Sequence, residues 1–225
     1  TGVQTCALPI SEVTISEFTP RKRRFFLKYL ARFLLLFESV KAKGSFLDNK
    51  RVIVTAAPHQ SGKDEYLMIL MILALDIEVC YLSAKWTMRR IPIPFIKPKD
   101  IDNQGIPWPL GWLQEIVFRK FGAIPVDRKG SSGQYDSVVQ ELLKRDAFLL
   151  IITPEGRFDA TRFRSSFLYL AKELEAEVMP VQIDYEHDTL QFLGSLNLDG
   201  SEDEVIQRLR ICFDGVKGRK SRFKA

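Results

Sequence analysis

A chain of 225 residues, 46% hydrophobic and 27% charged, has the apolar mass for one sizeable core and is short for two. Its formal net charge of +5 and pI near 9.1 favour anionic partners, whether phosphorylated substrates, acidic lipid head groups or nucleic acid, without choosing among them. No apolar run reaches the roughly 18 to 20 residues of a spanning helix, and three scattered cysteines, Cys6, Cys80 and Cys212, make neither a disulfide framework nor a metal cluster. The chain is therefore expected not to cross a membrane and to work in a reducing compartment.

The opening TGVQTCALPI is what a common sequencing-library adapter gives when translated in frame, so residues 1–11 are read as a scar and Cys6 carries no argument. Residues 20–45 follow as a basic amphipathic segment. In residues 21–38 the Phe and Leu side chains gather on one side of a helical wheel, with Arg24, Lys28, Arg32 and Glu38 on the other. Such a helix can lie on an anionic membrane with its aromatic side in the acyl boundary, or pack on its own domain with the basic side in water.

From residue 51 the pattern alternates. Apolar runs at 51–55, 77–82, 147–152 and 178–183 read as strands, and helical periods at 65–75, 111–121, 135–144 and 164–174 lie between them. The fold class expected is α/β: a single domain, residues 46–214, with a central mixed, largely parallel sheet flanked by helices. Ser201 and Glu204 form a capping box that starts a last helix over 202–213, and the basic tail 215–225 reads as loose. Residues 90–110 interrupt the rhythm with five prolines, in a loop that could cover a lipid groove or pack as an irregular arm.

The stretch 51–70 holds the chemistry. Strand, Gly-Lys loop and apolar helix follow the order of a phosphate-cradling P-loop, but Ala57 stands where the first Gly is needed and Asp64 where the Mg²⁺-binding hydroxyl belongs. The same residues place His59 in the loop and Asp64 in the first turn of the helix, so the carboxylate can turn back to the imidazole, fix its tautomer and leave Nε2 as a general base. The plain alternative makes Asp64 a helix-terminal residue and His59 a loop donor. The second histidine, His187, reads as a surface turn residue.

Three further stretches join the first. His59-Gln60-Ser61-Gly62-Lys63-Asp64 resembles the H-x-x-x-x-D block of the glycerolipid acyltransferase family. Gly122-Ala123-Ile124-Pro125-Val126-Asp127-Arg128 is similar to that family's second block, Pro154-Glu155-Gly156-Arg157 to its third and Val178-Met179-Pro180-Val181 to its fourth, in the family's order across residues 50–195. The departures are Pro58 in place of Asn, Gly62-Lys63 in place of bulkier side chains, Pro125-Val126 in place of Phe-Ile in the second block, a third block without its Thr, and a longer first interval that the proline-rich residues account for.

The resemblance implies a 1-acylglycerol-3-phosphate acyltransferase-like enzyme: acyl transfer from acyl-CoA or acyl carrier protein, as co-substrate, to the hydroxyl of a lysophospholipid, giving phosphatidic acid, with no further cofactor and no metal. His59 is then the base and Asp64 its orienter. Arg128, with Arg157 second, is the cationic fork for the acceptor's phosphate, and Glu155 and Gly156 belong to the acceptor site. The implied partners are the two substrates and an anionic membrane surface rather than nucleic acid, and the implied location is the cytoplasmic side of a membrane, held peripherally by residues 20–45. A lipid-binding protein of the same fold with a decayed site is the alternative.

Overall fold

The computed structural model of the chain describes residues 12–38, 40–85, 87–91, 106–126, 133–155 and 162–218. In chain order the elements are β1 (Glu12–Thr14), α1 (Phe25–Leu35), β2 (Lys41–Ser45), β3 (Arg51–Ala57), α2 (Gly62–Ala74), β4 (Cys80–Ala84), a short 3-10 turn (Thr87–Arg89) and β5 (Arg90–Ile91). Then come β6 (Ile106–Pro107), α3 (Gly111–Lys120), β7 (Ala123–Val126), α4 (Gly133–Leu143), β8 (Phe148–Ile152), α5 (Ser166–Glu173), β9 (Glu177–Asp184), β10 (Thr189–Phe192) and α6 (Glu202–Cys212). The α/β class is as expected. Where one domain was expected over 46–214, the contacts of the chain cluster into two compact units, Thr1–Glu78 with Ala147–Ala225, and Val79–Asp146.

The first unit is built on strands in the order β1-β2-β10-β9-β3-β8. Central β3 runs parallel to β8 on one side and β9 on the other, with Thr55 facing both Ile152 and Pro180 in register. Such a strand is covered on both faces, and β3 is accordingly apolar and buried from Val52 to Ala57. Val54 and Ile151 turn toward Met68, Met71, Ile72 and Leu75 of α2 and its C-terminal end. Alternation puts Ile53 and Leu150 on the opposite face, and α5, with Phe167 and Leu170 buried, packs against β3. The hairpin β9–β10 is antiparallel, and β10 then pairs in parallel with β2. The Ser201–Glu204 capping box starts α6 as expected.

The basic amphipathic segment differs in extent. Its helix ends at Leu35, and Lys41–Ser45, inside the range read as 20–45, is a strand. Helix α1 covers α2 with Ala31 and Leu35, its two buried residues. Basic side chains of the segment reach the end of α2 as well. Arg21 donates to the Leu75 carbonyl at 2.8 Å, Arg32 to the Ala74 carbonyl at 3.1 Å, and Lys28 pairs with Asp76 at 2.5 Å. Those acceptors are the last carbonyls of α2 and the residue just past it, where the helix dipole is negative and cations are stabilising. The aromatic side faces out, with Phe25, Phe26 and Phe37 about three-quarters exposed and Tyr29 and Phe33 about half.

In the second unit β4 and β7 pair in parallel, β5 and β6 form a short antiparallel pair, and α3 packs on the 3-10 turn. Gly122 enters β7 at φ +93°, and a Cβ there would stand 1.8 Å from the Val79 carbonyl oxygen. No side chain fits, so the Gly of the second block is required by the close approach of two backbones. Most of the proline-rich stretch, residues 92–105, lies outside the described residues, as do 1–11 and 219–225.

Candidate active site

His59, Glu155 and Tyr185 each lie just past the C-terminal end of a strand, β3, β8 and β9 respectively. The three strands are adjacent and parallel, and the crevice outside the carboxyl ends of such strands is where open α/β sheets bind ligands. Residues far apart in sequence meet there because the parallel register ends all three strands at one level.

The loop from β3 into α2 carries a cis Ala57-Pro58 bond, then His59, then Ser61 as the residue that caps the helix. Asp64 occupies the third helical position and its carboxylate reaches back, as a capping-box side chain does. Oδ2 accepts the backbone N–H of Gln60 at 2.7 Å and of Ser61 at 2.8 Å. Oδ1 accepts the Tyr185 hydroxyl at 2.5 Å and the Ser61 hydroxyl at 3.3 Å. Four donors fill the lone-pair positions of one carboxylate.

His59 Nδ1 stands 3.6 Å from Asp64 Oδ2. This is longer than a hydrogen bond, so the expected Nδ1 to carboxylate hydrogen bond is replaced by a looser contact. Both side chains are buried. Burial acts to raise the Asp64 pKa, but the His59 ring, the Tyr185 hydroxyl and the Ser61 and Gln60 amides together outweigh it and hold the carboxyl below its ordinary range. It is an anion at neutral pH.

Glu155 closes the other side. Its two oxygens share the His59 backbone N–H at 3.1 and 3.3 Å, and the residue is almost wholly buried. Burial pushes its carboxyl above the usual range; the His59 amide and ring oppose that, and the nearby Asp64 charge adds to it. Two of the sequence blocks therefore meet through a direct bond between residues 96 positions apart.

Of the six residues singled out from sequence, His59, Asp64 and Glu155 are brought together, while Arg128, Gly156 and Arg157 lie outside the described residues. Tyr185 was missed. It lies 121 positions from Asp64, in a turn whose composition marks only a hairpin, and no spacing rule connects the two. His187, in the same turn, is exposed, with Nδ1 2.7 Å from Asp184, and that carboxylate raises its pKa. The start of the basic tail is docked rather than loose. The Lys217 carbonyl accepts the Tyr185 N–H at 2.9 Å, and buried Gly218 lies so close to the Gln60 side chain that a Cβ would meet its Oε1 at 2.4 Å.

The nucleotide reading loses its chemistry at the same place. A P-loop needs its backbone N–H groups turned to phosphate, and those of Gln60 and Ser61 are engaged by Asp64; Lys63 is paired with Glu38 at 2.7 Å. Among the described residues no cluster of His, Cys, Asp and Glu is arranged to hold a metal ion. What the site offers is a buried imidazole beside an ionised carboxylate, with a carboxyl whose ionisation burial disfavours on the backbone N–H of the same residue. No protein-family model matches the chain, and no curated protein matches it.

Proposed function

We propose that the chain is a glycerolipid O-acyltransferase whose base is His59. The observation that carries this reading is the meeting of His59, Asp64 and Glu155 at the C-terminal ends of β3 and β8, since residues drawn from two separate sequence blocks share one buried site. His59 takes the proton of an acceptor hydroxyl, and the oxygen attacks the thioester carbonyl of acyl-CoA or acyl-carrier-protein substrate. The new C–O bond forms, the C–S bond breaks, and the imidazolium returns the proton to the departing thiolate. The Asp64 charge stabilises that imidazolium. General-base action of this kind is worth about 10² to 10⁴ in rate. Arg128 and Arg157 are the proposed phosphate ligands, Glu155 and Gly156 the proposed acceptor-side residues, and 1-acylglycerol-3-phosphate the favoured acceptor.

The proposed setting is the cytoplasmic surface of a membrane. No helix of the described residues is long and apolar enough to cross one. Helix α1, with 11 residues, spans about 16 Å against the roughly 30 Å of a bilayer core. Its outward Phe25, Phe26 and Phe33, with Phe37 just past its end, supply apolar area to an interface, and the positive net charge suits an anionic one. A second reading, a lipid-binding protein without transfer activity, is favoured by the 3.6 Å separation of His59 and Asp64. Incubation of the purified protein with acyl-CoA and a panel of lysolipids, following free thiol, separates the two. Release that depends on one lysolipid is the result expected; liposome binding with no thioester consumption supports the second reading.

A further inference from the structure

Two carboxyl groups lie at His59, Asp64 by the ring and Glu155 on the backbone N–H, and that poses a problem for a base. Nearby negative charge favours the imidazolium, whereas a general base must be neutral at its working pH. The charged and titratable groups facing His59 among the described residues are Asp64 on α2 at 3.6 Å, Glu155 after β8 on its backbone N–H, and Tyr185 after β9, which reaches it through Asp64; Lys63, nearby on α2, is paired with Glu38. Burial of Glu155 makes its ionisation costly and so limits its contribution. Asp64 is ionised, and its effect on the ring depends on the donors that share its charge.

Three of those four bonds come from the loop and helix cap of which Asp64 is itself a part: the Gln60 and Ser61 amides and the Ser61 hydroxyl. The fourth does not. The Tyr185 hydroxyl arrives from the turn after β9, buried, at 2.5 Å, the length of a charge-assisted O–H···O⁻ bond. A phenol is the more acidic hydroxyl and the stronger donor. Its backbone is fixed in turn, because the Tyr185 N–H is bound by the Lys217 carbonyl at 2.9 Å. The other Oδ1 donor, Ser61, is longer at 3.3 Å, so Tyr185 is the main partner of that oxygen.

We propose that Tyr185 is a positioning residue of this site: its hydroxyl binds Asp64 Oδ1 and takes up carboxylate charge that would otherwise hold the His59 imidazole in its protonated form. As a statement about acyl transfer this rests on His59 being the base. As a statement about how the His59–Asp64 pair titrates it does not, and the test uses that difference.

The chain has two histidines, so the ring C–H signals of the full-length protein are assigned by comparison with His187→Gln, a change at an exposed residue outside the site. In Tyr185→Phe, which keeps the buried ring, the titration midpoint of His59 rises by about half a unit to one unit relative to the parent protein. In protein with every tyrosine replaced by 3-fluorotyrosine, a stronger donor, it falls. Where lysolipid-dependent thiol release is measurable, the acid limb of the rate profile moves up with the midpoint in Tyr185→Phe, while KM for the lysolipid stays constant. A residue that only supports the fold would lower the melting temperature and scale the rate equally at every pH. An unmoved or lowered midpoint in folded Tyr185→Phe overturns the proposal. Should that variant not fold, the fluorinated protein decides alone, a fall supporting the proposal and no shift overturning it. Absence of thiol release from every lysolipid removes the acyl-transfer reading and leaves the titration to judge Tyr185.

Discussion

On the proposed mechanism Asp64 has two separable tasks, and two substitutions tell them apart. Asp64→Ala removes the acceptor of the Gln60 and Ser61 amides and of the buried Tyr185 hydroxyl. Leaving a buried donor unsatisfied costs about 1–3 kcal/mol, and loss of a helix cap about 1 kcal/mol. With water replacing part of this, the expected destabilisation is about 3–5 kcal/mol. Asp64→Asn keeps an oxygen for the two amides, and its NH₂ can donate to the Tyr185 and Ser61 hydroxyl oxygens, so the bonds survive with two changed in polarity. The cost falls to about 1–2 kcal/mol, mostly the loss of charge assistance. The charge proposed to stabilise the His59 imidazolium is gone in both, so thiol release is expected to fall about 10²-fold or more in either. Denaturant unfolding by circular dichroism gives the stabilities, and lysolipid-dependent thiol release gives the rates. The pH dependence has a definite sign. The folded carboxyl lies below its unfolded value, so its stabilisation is present above about pH 4 and is lost as pH falls through the folded value. The gap between parent and Asp64→Asn therefore narrows in acid. Equal destabilisation by Asn and Ala, or more than a tenth of parental activity in Asp64→Asn, would refute the assignment of two tasks.

Glu155 runs the other way, since its folded carboxyl lies above its unfolded value: the stabilisation is present below about pH 4 and is lost as pH rises through the folded value. Glu155→Gln, which keeps an oxygen for the His59 amide, is expected to melt at a higher temperature than the parent at neutral pH, with the difference closing in acid; a lower melting temperature at neutral pH contradicts the cost assigned to the buried charge. For α1, Phe25→Ser with Phe33→Ser leaves the melting temperature within a degree or so, since both side chains face solvent, and weakens binding to vesicles containing anionic lipid by about 10- to 100-fold. Unchanged vesicle binding removes α1 from the interface. Gly122→Ala, at positive φ against the Val79 carbonyl, costs on the order of 1–3 kcal/mol in unfolding experiments, and a neutral result would show that the two backbones part easily.

The central strands were legible because a parallel strand covered on both faces is a continuous apolar run: residues 51–55, 147–152 and 178–183 correspond to β3, β8 and β9. The ends of α2 and α6 were legible in Asp64 and in Ser201–Glu204, whose side chains act within a few residues. Strand β2 was not, because Lys41–Ser45 holds one buried side chain, Ala42, between two exposed lysines, and its pairing with β10 depends on residues far away. Nor was the orientation of α1. A helical wheel separates an aromatic side from a basic one but does not say which is covered, and here the carbonyls at the end of α2 bind Arg21, just before α1, and Arg32 within it. In the site, His59 and Asp64 stand five residues apart and Glu155 belongs to a recognisable block, whereas Tyr185 joins them only because β9 lies beside β3.

The most direct test of the account is thiol release from acyl-CoA by purified protein, with and without lysophosphatidic acid, compared with His59→Ala. Release that requires the lysolipid and falls at least about 10²-fold in a folded His59→Ala protein is the result predicted. Release that persists above about a tenth of the parental rate in that variant would contradict it.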